Sequence, residues 1–352
     1  MALALYHPEL GYYAKGIQQT GRLGDFFTSV SVGPLFGNIL ARRFLCYWRE
    51  AGCPTRWRII ECGAHDGRLA NDVLSEIAAL DAQAFGCLEY VIPEPLPALQ
   101  TAQRSNLAAF SPCVRFLTDL LELAVDPLLG IAFGNELIDA LPFHVVERCA
   151  GRWIECVVAL STEQRLVWQT REIEDSLLLD HLARLGESFP EGYRTEVRTG
   201  IREFLTPIVR ALDRGLMIWI DYGFARPEYY HPDRMTGTLR TFSKHQAGEN
   251  PLENFGLCDI TAHVDFTALA ETSIALGGRP LMFQNQGAWL TENGRDWLLD
   301  QEGIPNNPLL RQFQTLTHPS QLGGKFHVLE ITWDSDQPAD ASPSLDHRLF
   351  NR

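Results

Sequence analysis

The positions of hydrophobic and polar residues are most regular in the segment 57–80. An apolar run ends at Glu61, and from 70 to 77 apolar residues recur at the spacing of a helix. Gly63 and Gly67 stand between the two patterns, where a chain reversal favours residues without a side chain. This order predicts a strand, a tight glycine turn and a helix, a junction that aims backbone N–H groups at whatever lies over the turn.

The same alternation of apolar runs and helical stripes extends over most of the chain. The nearly continuous apolar character of 216–220 is typical of a parallel strand that is buried on both faces. The pattern therefore predicts an α/β fold around a mainly parallel sheet. Strand-like runs lie at 88–92, 114–117, 131–133, 216–220, 281–283 and 326–332, and helical stripes lie at 36–47, 98–110 and 265–277.

One region interrupts this alternation. Between 143 and 171 polar and apolar residues alternate in three segments separated by turns, which predicts a small antiparallel insertion followed by helices near 175–186 and 196–212. Residues 224–263 are rich in loop-forming residues. The predicted division is an N-terminal arm and helix at 1–56, a core at 57–143 and 213–333, an inserted substrate-side subdomain at 144–212, and a flexible polar tail at 334–352.

Composition and charge narrow the classes of function. The 352-residue chain has a formal net charge of −14 and no cluster of basic residues, so we expect no nucleic-acid partner. A basic protein or peptide would be attracted to such a surface. No stretch is long and apolar enough for a membrane span, and the eight cysteines are scattered without metal-binding spacing. We therefore expect a cytoplasmic protein with reduced cysteines and no metal site.

Two acidic residues at the glycine turn bear on the ligand that it would bind. Glu61 and Asp66 would repel a pyrophosphate, but they would suit the ammonium and hydroxyl groups of a sulfonium cofactor. The dinucleotide fingerprint G-x-G-x-x-G also fails, because counting from Gly63 its other glycines would fall on His65 and Arg68. A nicotinamide cofactor is therefore disfavoured.

Acidic residues also follow the next two predicted strands. Glu94 comes after the second strand, where its two oxygens can accept hydrogen bonds from both ribose hydroxyls of an adenosine. Asp119 comes after the third strand, and either adenine recognition or simple solvation of a loop explains it. Because the carboxyl ends of parallel strands share one edge of the sheet, we expect both residues near the glycine turn.

Further polar residues follow the later strands. Asn135, Glu136 and Asp139 come directly after the fourth strand, and Asp221 ends the apolar run 216–220. Glu136 and Asp139 are candidates for holding a cation next to the cofactor. The alternative interpretation is a helix start, in which Asn135 is the cap and the two carboxylates complement the helix dipole.

Several blocks in order carry a resemblance to a known family. The sequence resembles the MidA/NDUFAF7 (DUF185) family of S-adenosylmethionine-dependent methyltransferases over about residues 4–332. This resemblance implies a seven-stranded class I methyltransferase sheet of Rossmann-like form, with helices on both faces, and S-adenosyl-L-methionine as the cofactor. The blocks are ALYHPELGYY (4–13), GDFFTS (24–29), GNELIDALPF (134–143), IDYG (220–223), GTLRTF (237–242) and DITAHVDF (259–266).

The resemblance also assigns roles to residues of this sequence. It implies a cofactor turn, a ribose acid, a block beside the methyl group, and an N-terminal lid over the cofactor. His65 stands where the family usually has glycine, and Val30 stands where a proline is usual. The implied residues are Glu61, Gly63 and Gly67 for the turn, Glu94 for the ribose, Asn135 to Pro142 beside the methyl group, and Gly24, Asp25, Phe26, Thr28 and Ser29 for the lid. From their positions alone, His65 in the turn and Asp119 after the third strand are added to the predicted cofactor-binding residues.

The mitochondrial members of the family imply an acceptor as well, because they dimethylate an arginine of a respiratory complex I subunit. An arginine guanidinium is a planar cation that two carboxylates can hold in place. Glu136 and Asp139 are the predicted pair, with Asp221 and Glu196 as alternates. Two other functions stay open, a binding or assembly factor that has lost catalysis and a methyltransferase for a small metabolite. The acceptor protein, the number of methyl groups and a homodimer are also left open.

Overall fold

The computed structural model describes residues 1–15, 28–123, 128–186, 188–243, 246–301 and 307–334, without the side chains of 243, 246 and 247. The predicted lid residues Gly24, Asp25 and Phe26 lie outside the described residues, as does the predicted tail from 335 onward.

The strands of the described chain are β1 (Trp57–Cys62), β2 (Leu88–Pro93), β3 (Val114–Leu117), β4 (Leu129–Asn135), β5 (His144–Cys149), β6 (Arg152–Leu160), β7 (Leu166–Arg171), β8 (Arg194–Val197), β9 (Arg214–Phe224), β10 (Arg240–Ser243), β11 (Gln246–Gly248), β12 (Asp259–Thr261), β13 (Val264–Asp265), β14 (Arg279–Asn285) and β15 (Phe326–Asp334).

The helices are α1 (Ala2–Tyr6), α2 (Ser29–Val32), α3 (Leu35–Glu50), α4 (Arg68–Leu80), α5 (Ala82–Gly86), α6 (Pro97–Asn106), α7 (Ser176–Ala183), α8 (Ile201–Ala211), α9 (Arg226–Tyr229), α10 (Phe266–Ile274), α11 (Gln286–Asn293), α12 (Arg295–Leu299) and α13 (Pro308–Thr317). Short 3₁₀ turns cover Tyr13–Lys15, Ala108–Phe110, Leu120–Glu122 and Ile138–Ala140.

The main sheet confirms the predicted α/β fold. Seven strands follow the order β14-β15-β9-β4-β1-β2-β3, and the two-residue strand β13 pairs with β9. Strands β3, β2, β1, β4 and β9 are parallel, whereas β15 and β14 are antiparallel to their neighbours. The carboxyl ends of the five parallel strands therefore lie at one edge, where ligands bind in open α/β sheets.

Both faces of this sheet are covered, as the apolar runs predict. One face packs against α3, α4 and α11, and the other packs against α8 and α10. All six residues of β1 are buried, which explains why that strand shows no polar alternation. Helix α3 contributes a buried stripe that includes Phe36, Leu40 and Phe44. The strand positions that carry the predicted site residues are thus held by a core on each side.

The insertion forms a separate sheet of four antiparallel strands in the order β7-β6-β5-β8. Helix α7 packs on this sheet through Leu178 and Leu182. The predicted helix near 196–212 is wrong at its start, because 194–197 is strand β8 and α8 begins only at Ile201. A four-residue strand shows too little periodicity to be separated from a helix by pattern. Helix α8 packs on the main sheet, so we propose that the inserted subdomain ends before it.

The region 224–263, predicted to be loop-rich, contains more order than the pattern indicates. It includes α9 and a small antiparallel sheet in the order β11-β10-β12. Strands of three or four residues leave almost no periodic signal in a sequence. Along the described chain, none of the helices combines the length and the apolar character needed to cross a membrane.

Candidate functional site

A cavity of about 890 Å³ opens at the carboxyl edge of the parallel strands. Its wall is built from the glycine turn after β1, the ends of β2, β3 and β4, the region 238–263 and the N-terminal segment. The structure brings nine of the predicted residues to this wall, namely Thr28, Glu61, Gly63, His65, Glu94, Asp119, Asn135, Glu136 and Asp139. Ser29, Gly67 and Asp221 do not line it.

The glycine turn has the backbone shape that the sequence predicts. Gly63 has a φ of 75°, and a Cβ atom there would lie 2.9 Å from Cδ1 of Leu137. Gly67 has a φ of 85° and precedes α4 directly. His65 also lies in the left-handed region, with a φ of 46°, which costs a residue with a side chain more than it costs glycine. The turn therefore keeps its shape although one of its positions is not the glycine usual in the family.

Glu61 ends β1 beneath the turn and is 2% exposed. Its carboxyl group accepts a hydrogen bond of 2.6 Å from the Tyr90 hydroxyl. Burial raises the pKa of Glu61 to about 8. A cation bound next to this carboxyl group would favour its ionised form, so the residue suits an ammonium group better than a phosphate.

Glu94 is fixed at the end of β2 by two hydrogen bonds. One carboxylate oxygen accepts from the Leu96 N–H at 2.8 Å, and the other accepts from Nε2 of Gln103 at 3.3 Å. Gln103 also donates to the His65 carbonyl at 2.8 Å, so one side chain ties the glycine turn to α6. Burial raises the pKa of Glu94. Each oxygen keeps a further acceptor position, as the recognition of two hydroxyl groups requires.

Asp119 follows β3 at the edge of the cavity. Its carboxylate accepts a 2.8 Å hydrogen bond from the Leu121 N–H and so caps a 3₁₀ turn. The residue also lines the cavity. The capping hydrogen bond explains one of its oxygens, and adenine recognition stays a prediction.

Three buried polar atoms test whether the wall fits an adenosine cofactor. Within the described chain, Nε2 of His65 and Oδ1 of Asn135, both residues of the wall, have no hydrogen-bond partner, and neither has Oε1 of Gln103, which lies behind the wall against Glu94. Buried polar atoms are nearly always paired in a finished structure, so atoms of this kind beside a cavity indicate groups that a ligand satisfies after small side-chain rotations. Together with the open turn at Gly63 and the acid at Glu94, they fit a cofactor that carries hydroxyl, amino and carboxylate groups.

Glu136 stands at the end of β4 in a strained conformation. Its φ is 51°, and its N–H donates to the Ile220 carbonyl at 2.9 Å. Its carboxyl group accepts hydrogen bonds from Nδ2 of Asn135 at 3.1 Å and from the main-chain N–H of Ser29. Burial, followed by the charge of Asp221, raises the pKa of Glu136 to about 8. The predicted lid residue Ser29 thus acts through its backbone on a residue of the site.

Asp139 is a buried acid whose carboxyl group forms no hydrogen bond or ion pair with the part of the chain that the structure describes. The residue is 8% exposed, and its main-chain N–H and carbonyl are both hydrogen-bonded. In the described ranges no hydrogen-bond donor or cation pairs with its carboxylate, which lines the cavity. Burial, followed by the charges of Asp221, Asp259 and Glu136, raises its pKa, while the nearby Arg198 guanidinium acts in the opposite direction. An acid of this kind is costly to bury unless a cation or a donor binds to it.

Asp221 and Glu196 have roles other than the predicted ones. Oδ2 of Asp221 accepts from the N–H groups of Leu137, Ile138 and Asp139, and Oδ1 accepts from its neighbour Tyr222. Asp221 therefore positions the turn that carries Asp139 and does not face the cavity.

Glu196 is likewise turned away from the site. Its carboxylate accepts from the N–H and the hydroxyl of Thr238 and from the Leu239 N–H. It anchors the GTLR segment instead of contacting a substrate. Sequence position at a strand end did not distinguish acids that bind backbone from acids that face a cavity.

Several residues of the wall were missed by the sequence reasoning. Tyr6, Tyr13, Asp259 and His263 line the cavity from segments distant in sequence. The density of tyrosines in 4–13 was the signal in the sequence that could have found the first two. Arg198 was also missed, and its guanidinium donates to the carbonyls of Asp139, Ala262 and His263, which fixes the loops around the acids.

Comparison with known proteins places these features in context. The profile of a family described as "Putative S-adenosyl-L-methionine-dependent methyltransferase" matches residues 39–283. A Burkholderia thailandensis structure bound to S-adenosylhomocysteine superposes with a TM-score of 0.84 at 32% sequence identity and covers 99% of this chain and 90% of its own. A second, native structure from that organism gives a TM-score of 0.82 at 30% identity, with the same coverage.

Curated relatives match over nearly the same length. The Drosophila melanogaster protein arginine methyltransferase NDUFAF7 homolog, mitochondrial, is 27% identical over 94% of this chain and 80% of its own length. The human protein arginine methyltransferase NDUFAF7, mitochondrial, is 25% identical over 94% of this chain and 78% of its own.

Proposed function

Because the chain belongs to the family of S-adenosyl-L-methionine-dependent methyltransferases, we propose that it transfers a methyl group to an arginine of a partner protein. The cofactor half of the cavity suits this assignment, with Gly63 at the turn and Glu94 at the ribose position. The names of the relatives describe those proteins as arginine methyltransferases, which supports the choice of acceptor.

One observation carries the choice of a cationic acceptor. The Asp139 carboxyl group is more than nine-tenths buried, lacks a partner along the described chain and lines the cavity. Glu136 lies near it, because its charge contributes to the raised pKa of Asp139. Two acids held together in a low-dielectric wall gain most from a cation that carries several hydrogen-bond donors. A guanidinium group has five donors in a planar fork, which suits a pair of carboxylates.

The residues of the chain then have distinct tasks in the reaction. S-adenosylmethionine supplies an electrophilic methyl group on a positively charged sulfur when it is bound. Glu136 and Asp139 hold the guanidinium and turn one nitrogen toward that group, so orientation contributes to the rate. A nitrogen–carbon bond forms as the sulfur–carbon bond breaks, and the attacking nitrogen loses a proton.

The raised pKa values bear on the fate of that proton. A carboxylate whose pKa lies near the working pH is a better proton acceptor than an ordinary acid. Glu136, with a pKa of about 8, is suited to accept the proton from the methylated nitrogen. Asp221 contributes indirectly, because its hydrogen bonds to the Leu137, Ile138 and Asp139 N–H groups set where the Asp139 carboxylate points. No metal is needed for this chemistry.

The proposal is tested by separating cofactor binding from transfer. S-adenosylhomocysteine binding is measured by calorimetry, and transfer of a labelled methyl group is measured on arginine-bearing and lysine-bearing peptides. We expect Glu136→Gln to bind S-adenosylhomocysteine within about threefold of wild type and to lose at least a hundredfold in transfer. Glu163→Gln, at an exposed position of the insertion, is the matched control. Full transfer by Glu136→Gln would contradict the assigned role.

A second candidate function is a binding or assembly factor that keeps the fold and lacks catalysis. The observation that favours it is His65, whose side chain lines the cavity at a position where the family resemblance implies glycine. A thermal-shift titration with S-adenosylhomocysteine distinguishes the two. A rise in melting temperature that saturates supports the enzyme, whereas no shift at millimolar concentration supports the binding factor.

The acceptor, the cellular location and the oligomeric state are part of the same proposal. We propose a protein substrate with an exposed arginine, for which a respiratory complex I-type subunit is the candidate suggested by the family resemblance. The names of the relatives place those proteins in mitochondria, while we propose a cytoplasmic location for this chain. A homodimer is tested by light scattering with and without S-adenosylhomocysteine.

A further inference from the structure

Two tyrosines of the N-terminal segment form part of the cavity wall next to the unpartnered acid. The rings of Tyr6 and Tyr13 are stacked, with centroids 5.5 Å apart and an interplanar angle of 19°. The Tyr6 hydroxyl donates to the Ala140 carbonyl at 2.7 Å, one residue beyond Asp139. The Tyr13 hydroxyl donates to Oδ1 of Asp259 at 2.9 Å. Both rings are thus anchored at their far ends and cannot swing freely out of the wall.

The charges around these rings are mainly acidic, although the Arg198 guanidinium also acts on Tyr6. Burial, with Asp259 and Asp139 as the next causes, raises the pKa of the Tyr6 hydroxyl, so it remains a protonated donor. The same two carboxyl groups act on Tyr13. The wall therefore combines a flat aromatic surface with two acids close to its edge. Such a wall attracts a cation through two interactions, one with the quadrupole of the ring and one with the carboxylates.

We propose that Tyr6, backed by Tyr13, is the stacking platform for the acceptor and selects a planar guanidinium over an ammonium group. This inference rests on the proposed function. A guanidinium can lie flat on the Tyr6 ring while its in-plane N–H groups reach Asp139. An ammonium has no flat face and keeps a tight hydration shell, so it gains little from the ring. Asp259 orients Tyr13 and thereby the pair of rings.

The test uses the full-length protein saturated with S-adenosylhomocysteine. Two small probes, propylguanidinium and pentylammonium, are titrated into it separately, and their affinities are measured by NMR. We expect wild type to bind the guanidinium at least fivefold more tightly than the ammonium. Tyr6→Leu should lose about tenfold in guanidinium affinity, since a desolvated cation–π contact contributes a factor of this size, and should change ammonium affinity by less than threefold. Tyr6→Phe keeps the ring and should lose less than threefold.

Controls separate a binding role from a structural one. Tyr47→Leu makes the same exchange on α3, away from the cavity, and should leave both affinities unchanged. Tyr6→Leu should retain its affinity for S-adenosylhomocysteine. Loss of that affinity, or an unchanged guanidinium affinity in Tyr6→Leu, would overturn the platform and leave the proposed function intact. Failure of wild type to prefer the guanidinium would overturn the proposed function as well.

Discussion

Replacing Glu136 by glutamine should make the ligand-free protein more stable and inactive. The folded-state pKa of Glu136 is about 8, against an ordinary value of 4.5, and burial is the main cause. The folded protein therefore holds a proton that the unfolded chain releases as the pH rises above 4.5. The free energy of unfolding must fall with rising pH across the window from 4.5 to 8. Glutamine resembles the protonated carboxyl group and does not ionise.

The size of the effect follows from the two pKa values. At pH 7 the unfolded carboxyl group lies about 2.5 pH units above its pKa, while the folded one is still mostly protonated, a difference of about 3 kcal/mol. For a chain of this length that corresponds to a rise of roughly 4 °C in melting temperature for Glu136→Gln at pH 7. At pH 4 both proteins should melt within about 1 °C of each other.

Calorimetric melting at pH 4, 5, 6, 7 and 8 measures this difference, with Glu163→Gln as the exposed control. Adding S-adenosylhomocysteine and an arginine peptide should reverse the order at pH 7, because only wild type offers the acceptor a second carboxylate beside Asp139. If Glu136→Gln melts at or below wild type at every pH, burial does not perturb this carboxyl group and the cation pocket is misassigned.

Three further variants test single features of the site, and Gly52→Ala is a control outside it. Asp221→Asn should lower the free energy of unfolding, measured in urea, by about 2 to 4 kcal/mol, because the Asp221 carboxylate accepts hydrogen bonds from four N–H groups. A decrease of less than about 1 kcal/mol would contradict its positioning role. Gly63→Ala should lower the affinity for S-adenosylhomocysteine at least tenfold, since the new Cβ would lie 2.9 Å from Leu137. Gly52→Ala, at a similar φ in open space, should leave that affinity unchanged. Equal affinities of the two variants would refute the role of Gly63. Glu94→Gln should weaken S-adenosylhomocysteine binding about tenfold or more, and an unchanged calorimetric affinity would exclude the ribose contact.

The central fold was predictable because its strands are buried on both faces. Strands β1, β4 and β9 contain apolar runs, and helices α3 and α4 show wide apolar stripes. The type and order of these elements therefore followed from the pattern of burial. The short strands β8 and β10 were not predictable, because three or four residues fit a helix, a strand or a loop equally well. Helices α11 to α13 fill a stretch to which the pattern assigned nothing.

The meeting of the residues proposed to bind the cofactor was predictable for a related reason. Parallel strands bring their carboxyl ends to one edge, so Glu61, Glu94 and the block after β4 had to meet there. The approach of Tyr6 and Asp259 to the same cavity was not predictable, because they lie about 250 residues apart in sequence. Asp221 shows a second limit. A carboxylate at a strand end can serve the backbone or the ligand, and only the hydrogen bonds of the folded chain decide which.

A crystal structure of the protein grown with S-adenosylhomocysteine tests the central claim most directly. The account predicts density for the ligand along the glycine turn, with both ribose hydroxyls on Glu94 and the sulfur end toward Glu136 and Asp139. Ligand density elsewhere, or an empty cavity with the His65 imidazole filling the space beside Glu94, would contradict it.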